Sequence, residues 1–186
     1  MNQSKGPSRR EVERAADLKT FEEHRAEGPD AVTCGVLTVS DTRKEESDTS
    51  GKLIMNMLSD MGHEVAFYRI VKDEPDQIRE ALLEACANPD IQVVISNGGT
   101  GITKRDTTYD VVVSLLEKEM PGFGELFRHV SYEEIGTAAM LTRATAGTCR
   151  DTIIMTLPGS GNACRTGMEK IIIPEISHMV REVLKP

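Results

Sequence analysis

The sequence predicts an α/β fold, a three-layer α/β/α sandwich on a mostly parallel sheet, and three observations carry that prediction. From residue 31 onward, short apolar runs alternate with segments whose apolar residues recur at helical spacing. The runs are apolar throughout rather than at every second position, as expected of strands covered on both faces. A polar, glycine-rich or acidic segment follows each run. In a parallel sheet such segments gather at one edge, outside the carboxyl ends of the strands, where ligands bind.

The elements follow in order. Residues 32–40 read as the first strand. Asp48-Thr49-Ser50-Gly51 then opens a helix with Ser50 as the expected N-cap, Leu53, Ile54, Met57, Leu58 and Met61 in register, and Gly62 at its end. Residues 63–71 form the second strand. Pro75 sits in the first turn of the next helix, whose Ile78, Leu82 and Cys86 share a face. Residues 91–96 are a third strand and residues 107–119 the helix after it. Pro121-Gly122-Phe123-Gly124 is expected to break the chain before another helical stretch, with Phe123 in the core. Residues 151–157 form a late strand, Pro158-Gly159-Ser160-Gly161 its turn, and Ile176, Met179, Val180, Val183 and Leu184 mark a closing helix. Residues 1–30 are polar and charged and read as an arm, flexible or ordered against a neighbouring subunit. Residues 31–186 read as one domain.

Composition narrows the function classes. No apolar run approaches the ~20 residues a membrane span requires, and the first thirty residues hold no signal-peptide core. Cys34, Cys86, Cys149 and Cys164 are scattered without a C-x-x-C pair, which suggests buried thiols in a reducing, cytoplasmic setting. The formal charge of −8 argues against a nucleic-acid partner. His24, His63, His129 and His178 show no ligand spacing, and no zinc motif occurs.

The densest chemistry lies in residues 98–108, Gly-Gly-Thr-Gly-Ile-Thr-Lys-Arg-Asp-Thr-Thr. One glycine suffices for a strand-to-helix turn, so Gly98, Gly99 and Gly101 around Thr100 exceed that need. Backbone N–H groups freed by glycine can converge on an anion, with Asp106 holding a cation beside it. The simplest reading is a polyphosphate site that carries a divalent metal. Neither the dinucleotide G-x-G-x-x-G nor the P-loop pattern is present. Asp106 and Thr107 can also cap the following helix, with Thr107 and Asp110 at capping-box spacing. Asp73, ahead of Glu74-Pro75, has a capping role of its own but falls at the same sheet edge. Two carboxylates around a polyphosphate suit Mg²⁺. The helix start at Ser50-Gly51 favours phosphate, and Lys104, Arg105 and Arg143 are the cations best placed to neutralise a polyanion.

These residues carry a resemblance. Val39-Ser40-Asp41, Asp48-Thr49-Ser50-Gly51, Lys72-Asp73-Glu74, Gly98-Gly99-Thr100-Gly101, Arg105-Asp106-x-Thr108, Pro121-Gly122-Phe123-Gly124-Glu125, Arg143-Ala144-x-Ala146-Gly147 and Leu157-Pro158-Gly159-Ser160 stand in the order and spacing of the molybdopterin adenylyltransferases. This is the Mog/MoaB group, whose domain recurs in gephyrin, and the residues after the last motif look closer to the MoaB branch. The resemblance implies a Rossmann-like molybdopterin-binding domain that assembles as a homo-oligomer, a trimer or a hexamer. It implies adenylylation of the terminal phosphate of molybdopterin by ATP with Mg²⁺, releasing pyrophosphate. Asp73 and Asp106 match the catalytic, metal-associated acidic positions. The loops at Gly98–Gly101 and Pro158-Gly159-Ser160 would cradle phosphates, and Ser40, Asp41, Ser50 and Thr108 would line the pocket. Some MoaB-type members lack the two aspartates. Their presence here favours an enzyme, the alternative being a non-catalytic molybdopterin-binding scaffold. No fused insertase is seen, so metal insertion would fall to a separate protein.

Overall fold

The computed structural model describes residues 28–185. The expected N-terminal arm therefore lies almost wholly outside the described residues. The chain runs β1 (Thr33–Val39), α1 (Thr49–Asp60), β2 (Glu64–Val71), α2 (Pro75–Ala87), β3 (Val93–Asn97), α3 (Thr108–Leu115), β4 (Lys118–Glu119), α4 (Pro121–Ile135), β5 (Ala146–Cys149), β6 (Thr152–Leu157), α5 (Gly161–Gly167) and α6 (Ile173–Leu184). A 3-10 segment, Gly136–Leu141, follows α4, and a π turn, Met168–Ile172, joins α5 to α6.

The strands form one sheet in the order β2-β1-β3-β6-β5-β4. The first four are parallel, while β5 runs antiparallel to both β6 and β4. The order reverses between β1 and β3, so the crevice beyond their carboxyl ends is where a ligand site is expected. Two apolar clusters confirm the three layers. Ile54, Leu58, Phe123, Phe127, Cys164, Met168, Ile176 and Val180 pack α1, α4, α5 and α6 on one face. Ile78, Leu82, Val111 and Val112 pack α2 and α3 on the other. Val93, Ile95, Ile153 and Met155 face the first layer, and Val94 and Ile154 the second. That explains why β3 and β6 read as unbroken apolar runs.

Two local expectations are corrected. The helix expected over residues 107–119 stops at Leu115, because Leu116 turns extended and Lys118–Glu119 pairs with β5. Glu117 N–H donates to Thr148 O at 2.7 Å and Met120 N–H to Ala146 O at 2.7 Å, bonds a continuing helix could not make. Pro121 is not a break but the first residue of α4, where its missing N–H costs nothing. Phe123 is buried as expected. The hairpin of β5 and β6, turning at Arg150 with φ 56°, was not foreseen. Among the described residues no helix is long and apolar enough to cross a membrane. All four cysteines are free and buried. Burial pushes the Cys34 and Cys164 thiols up to about 12, so both stay protonated at neutral pH.

Candidate functional site

The carboxyl ends of β1, β3 and β6 meet as almost bare backbone. Gly98 (φ 99°) and Gly99 (φ 64°) hold left-handed backbone that a side chain would strain. A methyl group on Gly98 would stand 2.1 Å from Val39 O, and one on Gly159 3.1 Å from Gly98 Cα. The glycine loop and the Pro158–Ser160 turn thus lean directly on each other. Between them opens a cleft of about 280 Å³, lined by Gly99, Thr100, Gly101 and Asp106 on one side and Pro158, Gly159 and Ser160 on another. No acceptor among the described residues takes the N–H of Gly99, Thr100 or Gly101. Backbone donors left free at a concave edge are the groups an anion would need.

Asp106 lines this cleft. Its Oδ2 accepts from Thr103 N–H at 2.9 Å and Thr103 Oγ1 at 2.6 Å, which fixes the carboxylate beneath Gly101. Asp73 stands behind Gly99 and is only 7% exposed. Its Oδ1 accepts from Thr107 N–H at 3.0 Å and Thr107 Oγ1 at 2.7 Å. It therefore caps α3, across the rim, and not the helix that follows it in sequence. A methyl group on Gly99 would meet Asp73 Oδ2 at 2.6 Å and Thr108 Oγ1 at 2.2 Å, so all three share one small space. Thr108, expected to line the pocket, lies behind Gly99 and does not line the cleft; its Oγ1 is fully buried with no hydrogen-bond partner among the described residues.

The predicted cations behave differently. Arg105 is exposed but committed: its Nε and Nη2 donate to Asp41 at 2.9 and 2.8 Å, and its Nη1 pairs with Glu74 at 2.7 Å. This hydrogen-bonded guanidinium, joined by the N–H of Asp73, holds the Asp41 carboxyl below its ordinary value. Arg143 donates from Nη1 to both oxygens of Asp110, from Nε to Gly101 O and from Nη2 to Asp106 O. It is a clamp on the back of the glycine loop. Only Lys104, of the three, has no ion-pair partner among the described residues.

The start of α1 is also corrected. Its N-cap is Asp48, not Ser50, and Asp48 Oδ1 takes the Gly51 N–H at 3.0 Å. That donor is no longer available to a phosphate. Asp48 is wholly buried and accepts three further bonds, from Thr38 Oγ1 (2.6 Å), Tyr68 OH (2.8 Å) and Arg43 Nη1 (3.1 Å). Burial alone would raise its pKa, but these donors together hold it below the ordinary value. Arg43 Nη2 and Ser50 Oγ both donate to Gly159 O at 2.9 Å, so the buried carboxylate and Ser50 support the Pro158–Ser160 turn from behind. Ser40 Oγ accepts from the N–H groups of Thr42 and Arg43, a local turn that leaves it off the cleft.

The far wall of the cleft had no counterpart in the sequence reading. Ser131 and Ile135 of α4, with Ala138 and Leu141 beyond, line the cleft as well, and Thr142 joins them beside the glycine loop, where Arg143 N–H donates to Thr100 O at 2.9 Å. Scattered apolar and hydroxyl residues on a helix and a 3-10 segment carry no motif, so nothing in the sequence singled them out.

Comparison with known proteins gives a consistent answer. Residues 35–178 match a family described as the probable molybdopterin binding domain. A Bacillus subtilis protein named molybdenum cofactor biosynthesis protein B is 49% identical over 167 residues, covering 89% of this chain and 98% of that one. A crystal structure of a molybdenum cofactor biosynthesis protein B superposes with a TM-score of 0.82 at 48% identity, over 84% of this chain and 98% of that chain. The tungsten cofactor synthesizing protein MoaB of Pyrococcus furiosus gives 0.77 at 42% identity, over 84% and 99%.

Proposed function

The chain belongs to the probable molybdopterin binding domain family, and from that premise we propose that it serves molybdenum cofactor biosynthesis by adenylylating molybdopterin with ATP. One observation carries the reading. Gly99, Thr100 and Gly101, whose N–H groups have no acceptor among the described residues, line one cleft together with Asp106 and the Pro158–Ser160 turn.

Two anions must meet here, and that is the main barrier. The backbone donors bind and orient phosphate oxygens at fixed positions, with no reorganisation cost as charge develops on the transferring phosphoryl group. A terminal phosphate oxygen of the pterin attacks the α-phosphorus of ATP, and pyrophosphate leaves. The attacking phosphate is already ionised at neutral pH, so no general base is needed, in keeping with a rim that holds no histidine.

Asp106, the acidic residue that lines the cleft, suits Mg²⁺ as a single carboxylate ligand. No group of three or more His, Cys, Asp or Glu that could hold a metal ion occurs among the described residues, which disfavours a caged ion. Mg²⁺ binds instead through one or two carboxylates, substrate phosphates and water. Asp106 would hold it, with Asp73 Oδ2 behind. When bound, the ion would neutralise phosphate charge and polarise the reacting phosphoryl oxygen.

The second reading, a non-catalytic molybdopterin-binding scaffold, draws on the commitment of Arg105 and Arg143 to carboxylates and carbonyls, which leaves Lys104 as the uncommitted predicted cation. Pyrophosphate release from ATP, Mg²⁺ and molybdopterin separates the two readings, because a scaffold binds the pterin and liberates nothing. A trimeric or hexameric assembly belongs to the same proposal. The exposed Leu126, Tyr132 and Met140 offer apolar surface for it, and the mass in solution tests it.

A further inference from the structure

Every carbonyl of the turn after β6 is taken. Leu157 O accepts from Gly98 N–H at 3.0 Å, Pro158 O from Cys164 Sγ at 3.2 Å and Ser160 O from Cys164 N–H at 3.0 Å. Gly159 O accepts twice at 2.9 Å, from Arg43 Nη2 and Ser50 Oγ. The N–H groups of Gly159 and Ser160 have no acceptor among the described residues. Backbone with its acceptors satisfied and its donors unpaired is polarised toward an anion. Arg43 is the partner that reaches farthest to make it so. Its Nη1 is held at 3.1 Å by Asp48, which is wholly buried and further bonded by Thr38, Tyr68 and the Gly51 N–H. The planar guanidinium then presents Nη2 to Gly159 O as the second tine of a fixed fork. Because the buried carboxylate offsets its charge, Arg43 acts here through geometry rather than long-range attraction.

We propose that Arg43 is a positioning residue, which sets the Gly159–Ser160 peptide so that the Ser160 N–H is a preformed donor to a phosphate oxygen in the cleft. In a planar trans peptide the C=O and the N–H that follows it point in opposite directions. No cis bond occurs among the described residues, so pinning Gly159 O turns the Ser160 N–H away from Arg43 and Ser50. Gly159 and Ser160 both line the cleft. Nothing in the glycine itself resists a flip of this peptide, which would exchange the donor for a carbonyl oxygen that repels phosphate. The two bonds on Gly159 O oppose that flip. A donor fixed before the ligand arrives costs no reorganisation when charge is placed against it. The inference rests on the phosphate-binding reading of the cleft and is independent of the transfer step.

The test uses the full-length chain with inorganic pyrophosphate and with ATP, read by titration calorimetry and by the Ser160 amide resonance. In the wild type that amide should move downfield at saturation, the signature of an N–H donating to a charged oxygen. A hydrogen bond to a charged group is worth about 10- to 100-fold in affinity. Arg43→Met should therefore weaken binding at least ~10-fold and shrink the amide shift, and adding Ser50→Ala should abolish it. Arg43→Met with Asp48→Asn strands no buried charge and gives the same readouts if Arg43→Met alone does not fold. Arg69→Met removes a cation paired with Glu84 on the edge strand β2, and should leave both readouts unchanged. The proposal is overturned if neither ligand binds the wild type at millimolar concentration, or if binding leaves the Ser160 amide unmoved. Wild-type affinity and shift in the folded Arg43 variants would also overturn it, as would an equal loss in Arg69→Met, which net charge would explain. An amide shift that the Arg43 variants lose, without any pyrophosphate release by the wild type with molybdopterin, ATP and Mg²⁺, would sink the adenylylation reading and leave the positioning role standing.

Discussion

Removing the Asp48 carboxylate should do more damage than any exposed charge at the rim. Four donors point at it, from Thr38, Tyr68, Arg43 and the Gly51 backbone, and it has no solvent exposure. Hydrogen bonds to a charged group contribute about 1.5–3 kcal/mol each, but they are not additive here. The better guide is the cost of stranding one half of a buried charge pair, about 3–5 kcal/mol. Arg43 is 27% exposed and keeps its bond to Gly159 O, so its orphaned charge reaches water. We therefore expect Asp48→Ala to cost about 3–4 kcal/mol, a large share of the ~5–15 kcal/mol that stabilises a typical domain. With m of about 2 kcal/mol/M, the urea midpoint should fall by roughly 1.5–2 M. Acid sensitivity is a second readout. The folded pKa lies below the unfolded value of 3.8. The stabilisation from this group is thus present above pH 3.8 and lost as pH falls through the folded value. Asp48→Asn should remove that acid limb. A loss under about 1 kcal/mol for Asp48→Ala, or an unchanged acid limb in Asp48→Asn, would refute this account of the network.

Other consequences are testable directly. Asp106→Asn should fold normally yet lose at least ~10²-fold in turnover, measured by pyrophosphate release. Gly98→Ala should cost more than about 2 kcal/mol, because its methyl meets a backbone carbonyl, against about 1–2 for Gly99→Ala, whose neighbours are side chains that can move. Thermal melts of the two variants check the order, and Gly99→Ala should still lose turnover because it displaces Asp73 and Thr108. His63 is buried with its Nδ1 accepting from Val32 N–H at 3.2 Å, and burial lowers its pKa below 6.5. The unfolded chain binds that proton more readily, so stability should fall as pH drops below about 6.5 and level off beneath the folded value. In His63→Gln, denaturation midpoints between pH 5 and 7 should flatten.

Much of the architecture was legible because burial on both faces writes itself into composition. β3 and β6 are buried end to end with an unbroken apolar centre, and the helices between them show one apolar face. The two-residue β4 and the four-residue β5 left no such trace: Lys118–Glu119 is exposed and Ala146–Cys149 is short, so their pairing is set by backbone bonds that sequence does not display. The same division holds at the site. Gly98, Gly99 and Asp106 were readable because left-handed backbone and loop carboxylates demand particular residue types. The partners of Arg105 and Arg143 were not, since pairing across more than thirty residues depends on the completed sheet. Asp48 was passed over as a cap in favour of Ser50 because both residue types suit that position, and only the hydroxyls of half-buried Tyr68 and buried Thr38 decide between them.

Where Gly98 meets Val39 on one side and Gly159 on the other, no side chain pads the contacts between the turns that follow three neighbouring strands of the sheet. Thickening one of them shifts the other two, so drift at these positions has to be concerted or not occur. Retuning such a scaffold toward a new reactant would therefore proceed through α4 and the 3-10 segment after it, which can be rebuilt one residue at a time.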